Sequence, residues 1–478
     1  MTDIAYRPRP IGPTFKPAEW IGDHVIPAAA IAAAAAAGLL VVRSNQLAVG
    51  IVLLVALLAV YAASARAGVV GVWLLWLTIP FLRRVFGLLE GVPQFDILAL
   101  VPFAATGLIA VLEAERLYLS RRAKALIALA AGGFALGVPT GLVTPTAGLF
   151  ATGAYLSALA AFAIGYAERR RGGDELTLGT ALRIALPVIA VYGIFQYFFP
   201  LTSWDQNWLG SVTFGSIGAP EQGHIRIFAT LNSPATLAAI LAFGILCVVS
   251  TDKARGLRPL LVGLFALALA LTYVRAAWLA FVVALLVYAA AAGVRRPARV
   301  VAIVALVVAA SIAAGGSNST TAAFMSRLTT FGSLGQDQSA NTRIQTASQV
   351  APEIVAHPFG EGLGQVGVAS RLAGAEPGAT NLDLDNGYLA LGLQVGLIGL
   401  LLILAAAAWA VSLAARATRL TYGSPTASLC LSILMFGVVV HLSGDALYGV
   451  IGAVFWYAAG YATAVNDEQD ADLRPAQP

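Results

Sequence analysis

Arg327, Arg343, His357, Glu361, Arg371, Asp383 and Asp385 all fall between Gly316 and Asn386, an interval flanked by apolar blocks. A guanidinium is planar and donates two parallel hydrogen bonds, which suits phosphate oxygens. A carboxylate or imidazole within hydrogen-bond reach suits removal of a proton from a hydroxyl. The interval therefore has groups for anion binding and for acid–base chemistry. Its glycine-rich run HPFGEGLG (357–364) permits a tight turn and close backbone approach. It is not a phosphate-cradling loop, because GxGxxG is missing and nothing puts the run between a strand and a helix.

The rest of the chain has to hold these groups at a membrane. Of its 478 residues 59% are hydrophobic and only 11% are charged, and the mean hydropathy is +0.82. That excludes an ordinary soluble globular protein. In hydrocarbon every backbone polar group needs an internal partner, so long apolar runs must be helices. The alternation of a membrane barrel is absent. The expected fold is all-α and polytopic. The net charge is +5, but Arg and Lys sit in short clusters between apolar runs. That pattern orients membrane proteins and gives no reason to expect a nucleic-acid partner. Cys247 and Cys430 lie inside apolar runs, as packing residues, and no metal site, disulfide framework or cofactor is expected.

With about twenty apolar residues per span, roughly fourteen segments are expected. They are Val25–Val42, Leu47–Ser64, Gly68–Leu82, Asp96–Leu112, Lys124–Leu142, Gly148–Tyr166, Leu178–Phe199, Pro234–Ser250, Leu257–Tyr273, Ala276–Ala292, Val300–Ala314, Gly387–Ala408, Ala427–His441 and Ala446–Ala464. Residues 1–24 and 465–478 form tails, and 200–233 and 316–386 form two long loops. One set of alternating loops holds most of the basic residues, among them Arg121, Arg122, Arg169, Arg170, Arg171 and Arg416. The positive-inside rule makes that set cytoplasmic, with both tails inside and both long loops facing outward.

Exceptions to the bias are informative. Arg83, Arg84 and Arg275 fall on the outer side, at membrane ends. Either they snorkel to headgroups or they line a cavity and meet an anion. In the first long loop, Arg226, His224 and Asn232 precede a span, where they can face a lipid-linked ligand. Trp204 and Trp208 fit an interfacial belt or a sugar-stacking surface. In the second, Ser317–Phe331 and Ala340–Ile354 have helical periodicity, with Pro352 kinking or ending the latter. Asp383 and Asp385 can act as bases or cap the next helix. His357 precedes a turn, and His441 lies close to Asp445 near the outer end of a late span.

Four pieces of the chain resemble the O-antigen ligase/polymerase family, the Wzy and WaaL type of membrane glycosyltransferase. They are RIFATLNSPATLA (226–238), LTYVRAAWLA (271–280), the run from Arg327 to Gly364 with its Pro-x-x-Gly-x-Gly, and DNGYLALGLQVGLIG (385–399). The chain departs from the pattern at Val274, where the family has Ser, and at Asp385, where its ligases often have His. The resemblance implies a GT-C type enzyme that moves a glycan from polyprenyl pyrophosphate to an acceptor hydroxyl outside the inner membrane. It implies Arg226, Arg275 and Arg343 as diphosphate ligands, with Arg327, Arg83 and Arg84 as weaker candidates. Asp385, Asp383 or His357 would be the base, and Asn232, Asn386, Tyr388 and His441 would support the site.

The missing His favours a polymerase of lipid-linked repeat units in O-antigen or exopolysaccharide synthesis, with a chain-length regulator as a possible partner. A ligase passing finished glycan to a lipid or protein is the alternative. A small-anion transporter is a third reading, but the chain has no internal repeat and its charges cluster at the outer face.

Overall fold

The computed structural model describes residues 46–91, 97–116, 118–211, 217–251, 256–293, 338–367, 369–370 and 384–472, with side chains for all but 90, 338–345 and 472. The first tail, the expected spans Val25–Val42 and Val300–Ala314, the expected helix Ser317–Phe331, Arg327 and Asp383 lie outside these residues.

The described residues contain helices and no strand. They are α1 (Gln46–Ala63), α2 (Ala65–Glu90), α3 (Val101–Arg116), α4 (Arg121–Leu136), the single turn α5 (Val138–Gly141), α6 (Pro145–Arg170), α7 (Thr177–Phe198), α8 (Ser203–Ser211), α9 (Pro234–Ser250), α10 (Arg258–Leu271), α11 (Arg275–Ala291), α12 (Gln338–Ala356), α13 (Gly387–Leu420), α14 (Pro425–Val440) and α15 (Gly449–Asp472). Local sequence sets several boundaries. Ser64, Ser120 and Ser233 each accept a hydrogen bond from a backbone amide of the helix that follows, the usual service of an N-cap hydroxyl.

Among the described residues, eight helical segments are long and apolar enough to cross a membrane: α1, α2, α3 with its leading turn, α4 with α5, α6, α7, α13 and α14. The apolar runs suggested about fourteen. The difference lies in the two spans outside the described residues, in the three shorter apolar helices α9, α10 and α11, and in α15. That last helix occupies the final expected span, but its glycines, tyrosines and tryptophan dilute its hydropathy.

Small residues bring the central helices into contact. A Cβ at Gly165 of α6 would sit 2.0 Å from the Tyr457 carbonyl oxygen, and one at Gly460 of α15 would sit 2.0 Å from that of Phe162. Helices α11 and α14 run antiparallel, because Gly423 abuts Ala291 and Ala292. Arg275 and His441 therefore lie at the same end of the bundle.

The opposite end is an ionic lattice. Arg122 pairs with Asp467 at 3.0 Å and Asp470 at 2.7 Å, Arg169 pairs with Glu468 at 2.8 Å, and Arg416 also reaches Asp470. Arg171 pairs with the fully buried Glu113, which also accepts from the Tyr61 hydroxyl at 2.8 Å. These arginines are the ones the charge bias assigns to the cytoplasm.

Helix α13 departs most from its expected form. It has 34 residues and is broken at Gly396, where φ is 70° and ψ 177°. The HPFGEGLG run fills the break. Glu361 N donates to the Leu393 carbonyl at 2.8 Å, Gly362 N to the Gln394 carbonyl at 3.0 Å, and Ile398 N to the Pro358 carbonyl at 3.2 Å. Peptide groups freed by the break thus regain partners, as a low-dielectric setting demands. The glycines here have steric work to do. A Cβ at Gly360, itself at φ 79°, would lie 2.4 Å from the Gln394 carbonyl oxygen, and one at Gly396 would lie 2.2 Å from that of Pro358.

Helix α12 leads into this run. It continues through Pro352 to Ala356, past the expected end, because Val350 and Ile354 are buried against Leu384, Ala390 and Leu393.

Candidate functional site

Three groups of candidate residues occur at the end of the bundle opposite the ionic lattice. The first surrounds Arg226 and Arg275. Gly223 N donates to the Tyr197 carbonyl at 2.9 Å, and Ile227 N donates to the Leu271 carbonyl at 3.3 Å. The Tyr197 and Tyr273 hydroxyls meet at 2.9 Å. Tyr273 takes φ 53°, which turns the chain between α10 and α11 and leaves Arg275 as the first residue of α11. The two arginines, far apart in sequence, therefore sit on adjoining backbone segments, and both are half-buried.

Arg84 has a different situation. Its guanidinium is buried, pairs with Asp205 and donates to the Ala229 carbonyl. The rings of Phe228, Phe81 and Trp208 surround it, with centroids 5.0, 5.4 and 5.7 Å away. Asp205 also accepts from the Tyr192 hydroxyl at 2.6 Å and from Gln196 Nε2 at 2.8 Å. Gln196 in turn holds the Ala229 amide at 2.8 Å. This is a closed polar knot, and its arginine is committed to a carboxylate within the protein. Asn232 is likewise structural in its contacts. It adopts φ 58°, a region Asn tolerates, and its Nδ2 donates to the Pro80 carbonyl at 3.1 Å.

The third group joins α6, α13, α14 and α15. The Tyr155 hydroxyl donates to Asp445 and accepts from Gln394 Nε2 at 3.2 Å. Gln394 Oε1 accepts from Gly364 N at 2.9 Å, which ties this cluster to the broken helix. Asp445 also accepts from Leu447 N at 3.0 Å. Arg83, adjacent in sequence to the sequestered Arg84, lies within electrostatic reach of the Tyr448 phenol.

His441 is buried beside Asp445, and its Nδ1 accepts from Ala446 N at 2.9 Å. That bond puts the proton on Nε2, an atom buried with no hydrogen-bond partner among the described residues. Tyr388 stacks edge-on against His441 at 4.5 Å and donates to the Val438 carbonyl at 2.8 Å. Asn386 is the N-cap of α13, accepting from Tyr388 N at 3.0 Å and Leu389 N at 3.2 Å. The side chain of Asp385 is exposed one residue before this N-cap. Gly387 packs against the His441 ring and the Gly444 carbonyl, so Asp385 enters beside the His441–Asp445 corner.

His357 is exposed at the end of α12, with Nδ1 3.1 Å from the Glu353 carbonyl oxygen. Arg343 falls within α12, outside the described side chains. A 540 Å³ cavity lined by Gln206 and Gln222 lies beside α8, and one of 260 Å³ beside Arg169, Glu175 and Cys247 lies at the ionic-lattice end.

Asp205, Tyr155 and Gln394 had escaped the sequence reading. Their signal was present, because a carboxylate, amide or phenol set within or beside an apolar run needs a partner. What the sequence lacked was the identity of that partner, since Gln394 and Gly364 are brought together only by the break at Gly396.

Residues 260–404 match the family described as O-antigen ligase. The matched stretch is under a third of the chain and contains Arg275, Arg343, His357, Asp385, Asn386 and Tyr388. No curated protein matches the sequence.

Proposed function

We propose, from the O-antigen ligase domain at residues 260–404, that this multi-pass membrane protein is a glycosyltransferase. It polymerises lipid-linked repeat units on the outer face of the inner membrane. The carrying observation is the junction of two segments distant in sequence. Ile227, next to Arg226, hydrogen-bonds Leu271, four residues before Arg275. Two half-buried guanidiniums on adjoining segments suit a diphosphate, whose charge grows as the sugar departs.

In this reaction an oxygen of the acceptor hydroxyl attacks the anomeric carbon while the bond from that carbon to the phosphate oxygen breaks. The acceptor proton passes to a carboxylate, and the polyprenyl diphosphate leaves with its charge held by Arg226 and Arg275, with Arg343 and Arg327 as further cations of the loop. Asp385, exposed at the mouth of the His441–Asp445 corner, is our choice of base. Asp445, bonded to Tyr155, positions that corner. Arg84 has no part in donor binding in this scheme, because Asp205 already neutralises it.

The ligase reading shares every one of these features, and the family description favours it equally. Reconstitution with lipid-linked repeat units tests both. Growth into long chains supports the polymerase, and attachment of preformed polymer to a lipid acceptor without growth supports the ligase. In either case Arg275→Ala and Arg226→Ala lose transfer; normal product from both variants would refute the proposal.

A further inference from the structure

Glu353, His357 and Glu361 bring one ligand atom each to within 4.8 Å of the others. We propose that they form a site for a divalent transition-metal cation of the zinc or manganese class, distinct from the residues assigned to glycosyl transfer. The spacing arises from two different local geometries. Glu353 and His357 are four apart at the end of α12, and residues four apart share a helix face. Glu361 is four further on, but the helix has ended at Ala356, so a turn must return it to that face.

The turn is fixed in place. Gly360 N donates to the His357 carbonyl at 2.9 Å, and Glu361 N donates to the Leu393 carbonyl at 2.8 Å. The left-handed Gly360 fits against the Gln394 carbonyl where a Cβ would not. On the other side Val350 and Ile354 anchor α12 against Leu393 and Ala390. Two backbone segments held by these contacts therefore present the three side chains, and the exposed Glu353 and His357 are free to turn toward a common ion.

Donor chemistry selects the ion. One imidazole with two carboxylates suits zinc, manganese and their neighbours. Magnesium and calcium favour all-oxygen shells of six or more ligands. Ligand bonds of about 2.0–2.2 Å put ligand atoms roughly 3–4 Å apart. Small rotamer changes in these side chains close the difference from the observed spread. Three protein ligands leave coordination positions for water or a phosphate oxygen. A bound ion would brace the end of α12 to the turn that fills the α13 break.

The test uses the full chain in detergent, purified through a tag without histidine, stripped with chelator and titrated with Zn2+ and with Co2+ as a spectroscopic probe. One equivalent is expected to bind saturably, with cobalt absorption bands that report nitrogen and oxygen ligation. His357→Ala and Glu361→Gln should each weaken binding at least about tenfold, as should Glu353→Gln, and zinc should raise the thermal midpoint of the wild type but not of these three variants. Gly153→Ala, at an exposed position with open space around its Cβ, serves as the neutral control. Absence of a saturable equivalent, or undiminished binding by folded His357→Ala and Glu361→Gln proteins, overturns the proposal. Because binding is read without substrate, the outcome is independent of whether the glycosyltransferase reading stands.

Discussion

Arg84 and Asp205 form an ion pair in which neither side chain retains any exposure to solvent. The two residues come from α2 and α8, so the pair ties the first long loop to the transmembrane bundle. Removing one partner of a buried pair strands the other charge, at about 3–5 kcal/mol. Asp205→Asn should therefore lower the unfolding midpoint in detergent markedly. The double replacement Arg84→Met with Asp205→Leu should be milder than either single change. A midpoint unchanged in Asp205→Asn would remove the pair from the list of what holds this loop.

The break in α13 makes an equally sharp prediction. Gly396→Ala requires φ of 70° from an alanine and puts its Cβ 2.2 Å from the Pro358 carbonyl oxygen. Strain at such a backbone position is of order 1–3 kcal/mol before the clash is counted. Gly153→Ala, with open space around it, should shift stability by no more than about 0.5 kcal/mol. Comparing the two by thermal unfolding separates the loss of a required glycine from the general effect of an added methyl.

The choice of base can be checked by paired substitutions. Loss of a general base typically slows turnover by about 10²–10⁴-fold. Asp385→Asn should fall in that range and leave the unfolding midpoint near wild type, because its side chain is exposed. Asp445→Asn should disturb stability as well, through its bonds to Tyr155 and Leu447 N. The reverse pattern, with slow turnover only in Asp445→Asn, would move the base to Asp445.

At the ionic-lattice end Asp470, beyond the expected span Ala446–Ala464, is held below the usual carboxylate range, first by its hydrogen bond from Arg122 and then by that from Arg416. A depressed folded-state pKa contributes stability that is complete above the unfolded carboxyl value and lost as pH falls through the folded value. Acidification should therefore weaken the wild type more than Asp470→Asn over that acidic window. Both pairs are partly exposed, so 0.5 M salt should shrink the difference. Parallel stability curves for the two proteins would show the lattice to be silent.

Helix positions were legible because hydrocarbon leaves an apolar run few alternatives. Pro234–Ser250 was read to the residue. Span number was less legible, since short helices and the tyrosine- and glycine-rich α15 sit near the threshold of length and hydropathy. The arginines stood out by violating the charge bias, yet that signal could not separate Arg84, sealed against Asp205, from Arg83 one position away. Helix direction decides that, and only packing fixes it. HPFGEGLG was recognisable as a run needing close backbone approach. Its partner, the interrupted α13, was hidden because QVGLIG reads as a continuous apolar helix.

That interrupted helix has a consequence for how the protein is made. During synthesis the segment holding Glu361 and Gly362 emerges before Leu393 and Gln394, whose carbonyls it must meet. The second half of α13, from Leu397, is apolar enough to be inserted as an ordinary helix. The end of the first half has carbonyls at Leu393 and Gln394 that the earlier turn satisfies. The two amide–carbonyl bonds therefore close only after both segments have been made. Expressing the chain as two pieces divided between Gly364 and Asn386 would leave the later piece without the amides that complete it until the pieces associate.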